Sequence, residues 1–390
     1  MSILKICGIV SEYNPFHNGH KFHIEKTRES GATHIVAVMS GNTVQRGTVA
    51  VFDKHYRARM AVENGVNLVI ELPCPYSCAS GEVFAKGAVE ILNGLGCVDM
   101  LSFGCETDDR GLLLKTAQCV NDLSESEVLK KLLVKGESYP SALSKACEEI
   151  YGEGISDIIK KPNNTLGIEY IRACKKLGWN VDFCLVKREG ADHDSSEEIN
   201  GFASASLVRE KIRSGEDFSK LVPYECNEDS FDFNLMTKAV VFKLRSMSVD
   251  ELFEIPDCTK ELAVRISGYL KSETPVTLTQ FYDALKTKNI THARIRRVIL
   301  YAILGIEKTD FQIKPYARVL CADDKGMEIL SQVKKNGSIE ISHSLARLSE
   351  SGDGGKRLSQ LDVLSSQLQK MCSETGKEYK HEFSVKFEKI

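Results

Sequence analysis

Along the first two hundred residues, compact apolar runs alternate with stretches whose apolar positions recur at helical spacing. Residues 4–10 form the first run, followed by a turn rich in Gly, Asn and Pro and by a helical pattern over about 19–30. Residues 35–39 form a second run ending in Ser40-Gly41-Asn42, and 53–64 carry Ala, Arg and Met at helical spacing. A third run, 67–72, stops at Pro73; a helix over 81–92 then leads to a fourth, 100–103, closed by Gly104. Strand, turn, helix and strand repeated in this order predict a parallel sheet wrapped by helices. The runs are continuous rather than alternating, as expected of strands buried on both faces. Residues 111–159 read as helical with one polar face, 166–177 are helical again, and 181–186 form a fifth strand followed by Lys187-Arg188.

The periodic pattern breaks near 213–228, where Ser, Gly, Pro and charged residues replace it. From 231 to about 306 the spacing is helical throughout; a strand-like piece at 316–321 follows, then a helix and a polar segment over 349–357. The expected architecture is α/β: a Rossmann-like domain over 1–215 with a helical insertion at about 111–160, then a mostly helical region over 216–390. A chain of 390 residues is long enough for two such parts.

Composition narrows the class. Hydrophobic residues make up 42% and charged residues 27%, as in ordinary soluble proteins. The start lacks the basic residues and long apolar core of a secretory signal, and no run approaches the roughly 18 apolar residues of a membrane span. The expectation is a cytoplasmic protein with no membrane partner. Thirteen cysteines scattered through apolar runs fit reduced, buried thiols. Cys74, Cys78, Cys97 and Cys105 match no common zinc spacing, so no metal site is assigned to them. The net charge of −3 means that any nucleic-acid contact must come from a local patch.

Candidate chemistry concentrates where the first run ends, at Gly8-Ile9-Val10-Ser11-Glu12-Tyr13-Asn14-Pro15-Phe16-His17-Asn18-Gly19-His20. This His-x-Gly-His arrangement resembles the signature of the nucleotidyltransferase superfamily, which includes class I aminoacyl-tRNA synthetases. Attack on the α-phosphate of ATP builds negative charge on phosphoryl oxygens and on the departing pyrophosphate. Imidazoles at positions 17 and 20, projecting from one helix N-terminus, can donate hydrogen bonds to that charge, and the helix end adds free N–H groups. Gly19 would leave room for adenine and ribose against the backbone. The plain alternative is two histidines that cap a helix. A second element, Ala203-Ser204-Ala205-Ser206-Leu207-Val208-Arg209, resembles the serine-rich phosphate loop of small nucleotidyltransferases. Ser204 and Ser206 would donate to phosphate and Arg209 would neutralise it; an ordinary serine N-cap reads the same way, and both roles are compatible.

Further stretches make the likeness more specific. Glu12–His20, Met39-Ser40-Gly41-Asn42, Gln45-Arg46-Gly47, Asp53-Lys54, Ser102-Phe103-Gly104, the stretch from Pro162 to Tyr170, Lys187-Arg188 and the serine loop resemble the bacterial tRNA(Met) cytidine acetate ligase family, as do 291–297 and 317–320. The family uses ATP, with Mg²⁺, and acetate to form acetyl-adenylate, and then acetylates the exocyclic amine of the wobble cytidine of elongator tRNA(Met). The resemblance implies catalytic His17 and His20. It implies an ATP site of Val10, Ser11, Glu12, Tyr13, Asn14, Pro15, Phe16, His17, Asn18, Gly19, His20, Lys21, Phe22 and His23 with Gly104, Asn163 and Arg188. Asn164 is an equal candidate for the asparagine, and helix capping an equal role. Gln45 and Arg46 would border the acetate or the tRNA end. Asp53, Lys54, Arg57 and Arg59 are either RNA contacts or a solvated helix face.

Lys286, Lys288, His292, Arg294, Arg296 and Arg297 lie in a stretch, 284–306, without a single acid. Such an excess in an acidic chain would supply phosphate contacts to tRNA, with no role for DNA; pairing to acids elsewhere is the alternative. Two rival functions remain at this point: a small-molecule adenylyltransferase of cofactor biosynthesis, and a binding protein without turnover.

Overall fold

The structure is a computed structural model that describes residues 4–135, 137–188, 201–375 and 379–390. Strands β1 (Ile6–Ser11), β2 (His34–Ser40), β5 (Leu68–Leu72), β6 (Met100–Cys105) and β7 (Asp182–Lys187) are parallel, in the order β5-β2-β1-β6-β7. A two-stranded ribbon, β3 (Thr43–Val44) and β4 (Thr48–Val49), hangs off the end of β2. The alternation of the strands sorts their side chains onto two buried faces. Ile6, Val36, Val38, Leu68 and Ile70 join the core beneath α3 (Gly81–Gly94), α4 (Arg110–Ser124) and α8 (Pro162–Lys176). Cys7, Ile9, Ile35, Ala37 and Val69 face α1 (Asn18–Glu29) and α2 (Lys54–Glu63). Helices α5 (Glu127–Val134), α6 (Tyr139–Tyr151) and α7 (Glu153–Ile159) complete the expected insertion.

Two boundaries move. The fourth strand runs on to Cys105, and α8 begins at Pro162 rather than near 166, because proline is well suited to a first helical turn. The sheet is also not wholly parallel. After α9 (Ala205–Ser214) and a bundle of α10 (Thr237–Arg245), α11 (Val249–Glu254), α12 (Lys260–Ser272), α13 (Leu278–Leu285) and α14 (His292–Leu304), the chain returns to it. Strand β8 (Ala317–Ala322) pairs antiparallel with β5; β9 (Ile341–Ser342) and β10 (Glu388–Lys389) both lie parallel to β8. The sheet therefore takes strands from both sides of position 215. Helices α15 (Asp324–Asn336), α16 (Leu345–Ser349) and α17 (Asp353–Met371) fill the rest.

Buried charge cements that return. Lys54 Nζ lies 2.6 Å from Glu71 and 3.0 Å from Glu382, and Arg318 lies 3.3 Å from Glu71 and 2.6 Å from Glu382. All four side chains are sealed from solvent, so two cations and two anions from α2, β5, β8 and the C-terminal segment neutralise one another. Lys54 is accordingly no RNA contact. Asp362, on α17, accepts from the Cys74 N–H at 2.8 Å, and burial together with the Glu71 carboxylate pushes its acid up to about 8. All thirteen cysteines are unpaired and all but Cys97 and Cys226 are buried. Among the described residues no helix is long and apolar enough to cross a membrane.

Candidate active site

The parallel strands end at a common edge, and the crevice between β1 and β6, where strand order reverses, is where open sheets of this kind hold ligands. Here β1 delivers Ser11 and Glu12 into the turn before α1. Tyr13 takes a left-handed conformation, φ 44°, uncommon for a side chain of its size, and its buried hydroxyl finds no partner among the described residues. The turn is clamped from below by Arg57, fully buried, whose guanidinium donates to the carbonyls of Glu12 at 2.6 Å, Ser40 at 3.1 Å and Phe52 at 3.0 Å, and to that of Gly41. The expectation of an exposed basic face on α2 is thus wrong for Lys54 and Arg57. Asp53 caps the helix by accepting from the His55 N–H at 2.8 Å, and only Arg59 sits outside, beside Glu63 and Glu388.

Helix α1 opens with an uncommon capping box. His17 is its N-cap, and its Nδ1 accepts from the Gly19 N–H at 3.1 Å; His20 Nδ1 accepts from the His17 N–H at 3.1 Å. The two rings stack with centroids 3.8 Å apart. With both Nδ1 atoms acting as acceptors, each neutral ring must carry its proton on Nε2. Burial, helped by the charges of Arg188 and Arg209, lowers His17 to about 3. Burial and then His17 hold His20 well below the ordinary imidazole range. Burial and Arg188 lower His23 to about 4, and its Nε2 lies 2.9 Å from Ser102 Oγ. The capping alternative therefore holds, and it does not compete with a catalytic role: one nitrogen of each ring caps and the other is left to donate. Gly19 lines the cleft, and a Cβ there would also sit 2.9 Å from His17 Cε1, so the imidazole needs the space that the glycine leaves.

One cleft gathers most of the expected residues: Val10, Ser11, Glu12, Tyr13, Asn14, His17, Gly19, His20, Phe22, His23, Gly104, Asn163, Arg188, Ser206 and Arg209 line it. Four of the expected nucleotide residues do not. Pro15 and Phe16 are buried beneath the turn, Lys21 points to solvent, and the Asn18 amide donates to the carbonyls of Gly201 at 3.0 Å and Lys220 at 2.8 Å. The structure separates the two asparagines. Asn164 is fully buried, accepting from the Glu106 and Thr107 N–H groups, whereas Asn163 lines the cleft and accepts from Arg188 at 3.2 Å. Ser204 is the N-cap of α9, its Oγ accepting from the Leu207 N–H at 3.1 Å, and it lies outside the cleft. Arg209 donates to the Asn14 carbonyl at 2.7 Å and to Ser206 Oγ at 3.1 Å, which ties the serine loop to the β1–α1 turn.

The same stretches are matched in known proteins. The family model described as HIGH Nucleotidyl Transferase matches residues 4–383. A tRNA(Met) cytidine acetate ligase of Clostridium kluyveri is 35% identical over 365 residues, covering 87% of this chain and 89% of that protein. One from Acetivibrio thermocellus is 33% identical, with 95% of each chain covered. The chain belongs to the tRNA(Met) cytidine acetate ligase family. The crystal structure of Thermotoga maritima TmcAL bound with alpha-thio ATP superposes with a TM-score of 0.89 at 28% identity, covering 99% of this chain and all of that one. The apo form of the same protein gives 0.91.

Within this ligase family member, Phe84, Phe103, Leu166 and Tyr170 form an apolar wall of the cleft. Phe103, Leu166 and Tyr170 fall in stretches that resemble the family, whereas Phe84 reads in the sequence as an ordinary core position of a helix. Gln45 and Arg46 do border the cleft, and the ribbon turn that carries them has a legible cause. The Gln45 N–H donates to Glu12 Oε1 at 2.8 Å. Gly47, at φ +75°, lies so close to α14 that a Cβ would meet the Arg297 N at 2.5 Å. The basic stretch is only partly available. Arg297 Nε bonds Asp257 at 2.8 Å, Arg294 lies 3.5 Å from the same carboxylate, and His292 is 2.9 Å from Asp283, so acids from elsewhere meet three of these groups. Lys286 and Lys288 are exposed, and Arg296 turns toward the ribbon. Among the described residues no cluster of three or more His, Cys, Asp or Glu side chains is arranged to hold a metal ion.

Proposed function

We propose that this chain is an ATP-dependent ligase that acetylates the exocyclic amine of the wobble cytidine of elongator tRNA(Met), in the cytoplasm. In the first half-reaction a carboxylate oxygen of acetate attacks the α-phosphorus of MgATP; the new P–O bond forms as the bond to pyrophosphate breaks. The Nε2–H groups of His17 and His20 donate to the oxygens that gain charge. Being neutral and already oriented by their own backbone bonds, they need no reorganisation as the charge develops. Ser206, Arg209 and Arg188 meet the polyphosphate, and Mg²⁺ arrives with the nucleotide as part of the substrate. In the second half-reaction the cytidine amine attacks the acetyl carbon, the carbon–oxygen bond to AMP breaks, and AMP leaves with the electron pair.

The observation that carries this reading is the capping box made of two imidazoles, which fixes paired Nε2–H donors at the mouth of the β1–α1 turn. Membership of the ligase family supplies acetate and tRNA. Acetate-dependent exchange of labelled pyrophosphate into ATP, with acetylcytidine found in tRNA after incubation, is the expected result. Exchange that needs a phosphorylated metabolite in place of acetate would make the protein an adenylyltransferase instead, a reading that the relatives do not favour.

A further inference from the structure

A second cleft opens beside the first. Its walls are the β3–β4 turn through Arg46, helix α9 through Ser206, Arg209 and Arg213, helix α13 through Tyr282, and α14 through Arg296. The two clefts share Glu12, Asn14, Arg46, Ser206 and Arg209, so they are two arms of one chamber. In the second arm four guanidinium groups face two carboxylates, Glu12 and Asp232, within a chain whose overall charge is −3. Glu12 accepts from the Gln45 N–H at 2.8 Å, and Asp232 accepts from the Asn234 N–H at 3.1 Å and lies 4.0 Å from Arg213, so among the described residues the arginines lining this arm outnumber its acids. A local excess of positive charge of this kind suits a ligand that carries phosphate.

The arm also holds a cation over an aromatic ring. The Arg296 guanidinium lies over the Tyr282 ring, 5.3 Å from its centroid, and the ring itself is buried. A guanidinium resting over a buried ring is a platform on which an unstacked nucleobase can lie. Its neighbours on α14 turn elsewhere, since Arg294 and Arg297 both engage Asp257. A departing pyrophosphate would satisfy the charge but would have no use for the platform.

We propose that the second arm seats the acceptor nucleotide: its base rests on the Arg296–Tyr282 platform, its phosphates meet Arg46, Arg209 and Arg213, and its exocyclic amine faces the first arm. This assignment rests on the acyl-transfer function above and places the second substrate of that reaction.

The test uses the full-length enzyme, Arg296→Ala and Arg296→Lys, and three readouts. The first is acetate-dependent pyrophosphate exchange, the second acetyl transfer to a tRNA(Met) transcript, the third affinity for that transcript against one with an abasic wobble position. Transfer should fall about 30-fold in Arg296→Ala, the scale of one lost base stack, and less in Arg296→Lys. Exchange should stay within about threefold of the unmodified enzyme, which also reports an intact fold. The preference of the unmodified enzyme for the cytidine transcript over the abasic one should vanish in Arg296→Ala, as a double-mutant cycle requires. Equal weakening toward both transcripts would make Arg296 a remote phosphate contact and overturn the assignment. A matching fall in exchange would give the arm to pyrophosphate and overturn it as well. Absence of acetate-dependent exchange in the unmodified enzyme would remove the acyl-transfer function itself, a separate result.

Discussion

The double role of the histidine pair can be taken apart by substitution. An asparagine at an N-cap accepts from the same backbone N–H groups, and a glutamine three residues later completes an ordinary capping box. His17→Asn and His20→Gln therefore keep the function that Nδ1 performs at 3.1 Å on each side and delete the Nε2–H donors. His17→Ala deletes both. Loss of one preorganised donor to a developing oxyanion costs about 10²–10³ in kcat, or about 3–4 kcal/mol. Loss of an N-cap costs about 1 kcal/mol of stability. In urea unfolding His17→Asn should stay close to the parent, and His17→Ala should fall by about 1 kcal/mol more. In pyrophosphate exchange the two should be equally impaired, each at least a hundredfold in kcat with a small change in KM for ATP. Exchange within tenfold of the parent in a folded His17→Asn protein would refute the argument, because the imidazoles would then be capping residues and nothing else. Equal loss of stability in both variants would refute the capping half.

Further consequences follow from the same geometry. The folded state keeps His17 and His23 neutral to about 3 and about 4, whereas an unfolded imidazole titrates near 6.5, so their contribution is complete above that value and lost as pH falls below it. Each should cost about 2 kcal/mol by pH 5; urea midpoints at pH 7.5 and 5.0 should diverge, and the gap should shrink in His23→Gln. Glu382→Gln leaves Lys54 and Arg318 facing Glu71 alone in a sealed site, and calorimetry should show a loss of about 3–5 kcal/mol; a loss below 1 kcal/mol would mean that the C-terminal segment is not held by this network. Arg57→Lys replaces a fork that reaches several carbonyls with a point donor, and should lower both stability, by about 2–4 kcal/mol, and the exchange rate. Gly47→Ala drives a methyl group into the α14 backbone at a positive φ, so acetyl transfer to tRNA should fall further than exchange does; an equal fall in both would show that the ribbon serves only the nucleotide arm.

The parallel strands were legible because each is an unbroken apolar run, a pattern that only a sheet covered on both faces produces. Strand β8 was visible as a strand but not as a member of this sheet: no periodicity records that residues 317–322 return antiparallel to β5 after the helical bundle. The histidine turn was legible because glycine, proline and two imidazoles coincide after the first strand. What hid there was a second constraint on Gly19, the His17 ring two residues away. Lys54 and Arg57 misled because charge in a helix reads as a wet face. Their burial depends on Glu71, Glu382 and four carbonyls supplied from distant segments, and spacing along one helix carries none of that information. The basic stretch at 284–297 misled in a similar way, since Asp257 is distant from it in sequence yet adjacent in space, and Asp283, one residue outside it, meets His292.

The wiring around the chamber also explains why a helical bundle belongs on this sheet at all. An acyl-adenylate is a reactive anhydride, and the site gains by presenting the acceptor where the intermediate forms rather than after release. If the second arm seats the acceptor as proposed, that demands a fixed distance between the nucleotide turn and α14. The ribbon meets the demand without a flexible linker. Its Gln45 N–H is bonded to Glu12 in the β1–α1 turn, while two residues later its backbone rests directly on α14. On the other flank Gln369 of α17 donates to the carbonyls of Ala50 at 2.8 Å and Phe52 at 3.1 Å, immediately after the ribbon, and Tyr301 of α14 donates to the Cys78 carbonyl at 3.1 Å. The Gln369 and Tyr301 bonds each join a segment before position 215 to one after it. The bundle is thus registered against the sheet by buried side-chain-to-backbone bonds and by the close approach of Gly47 to the α14 backbone, and these ties set the separation of the two arms of the chamber.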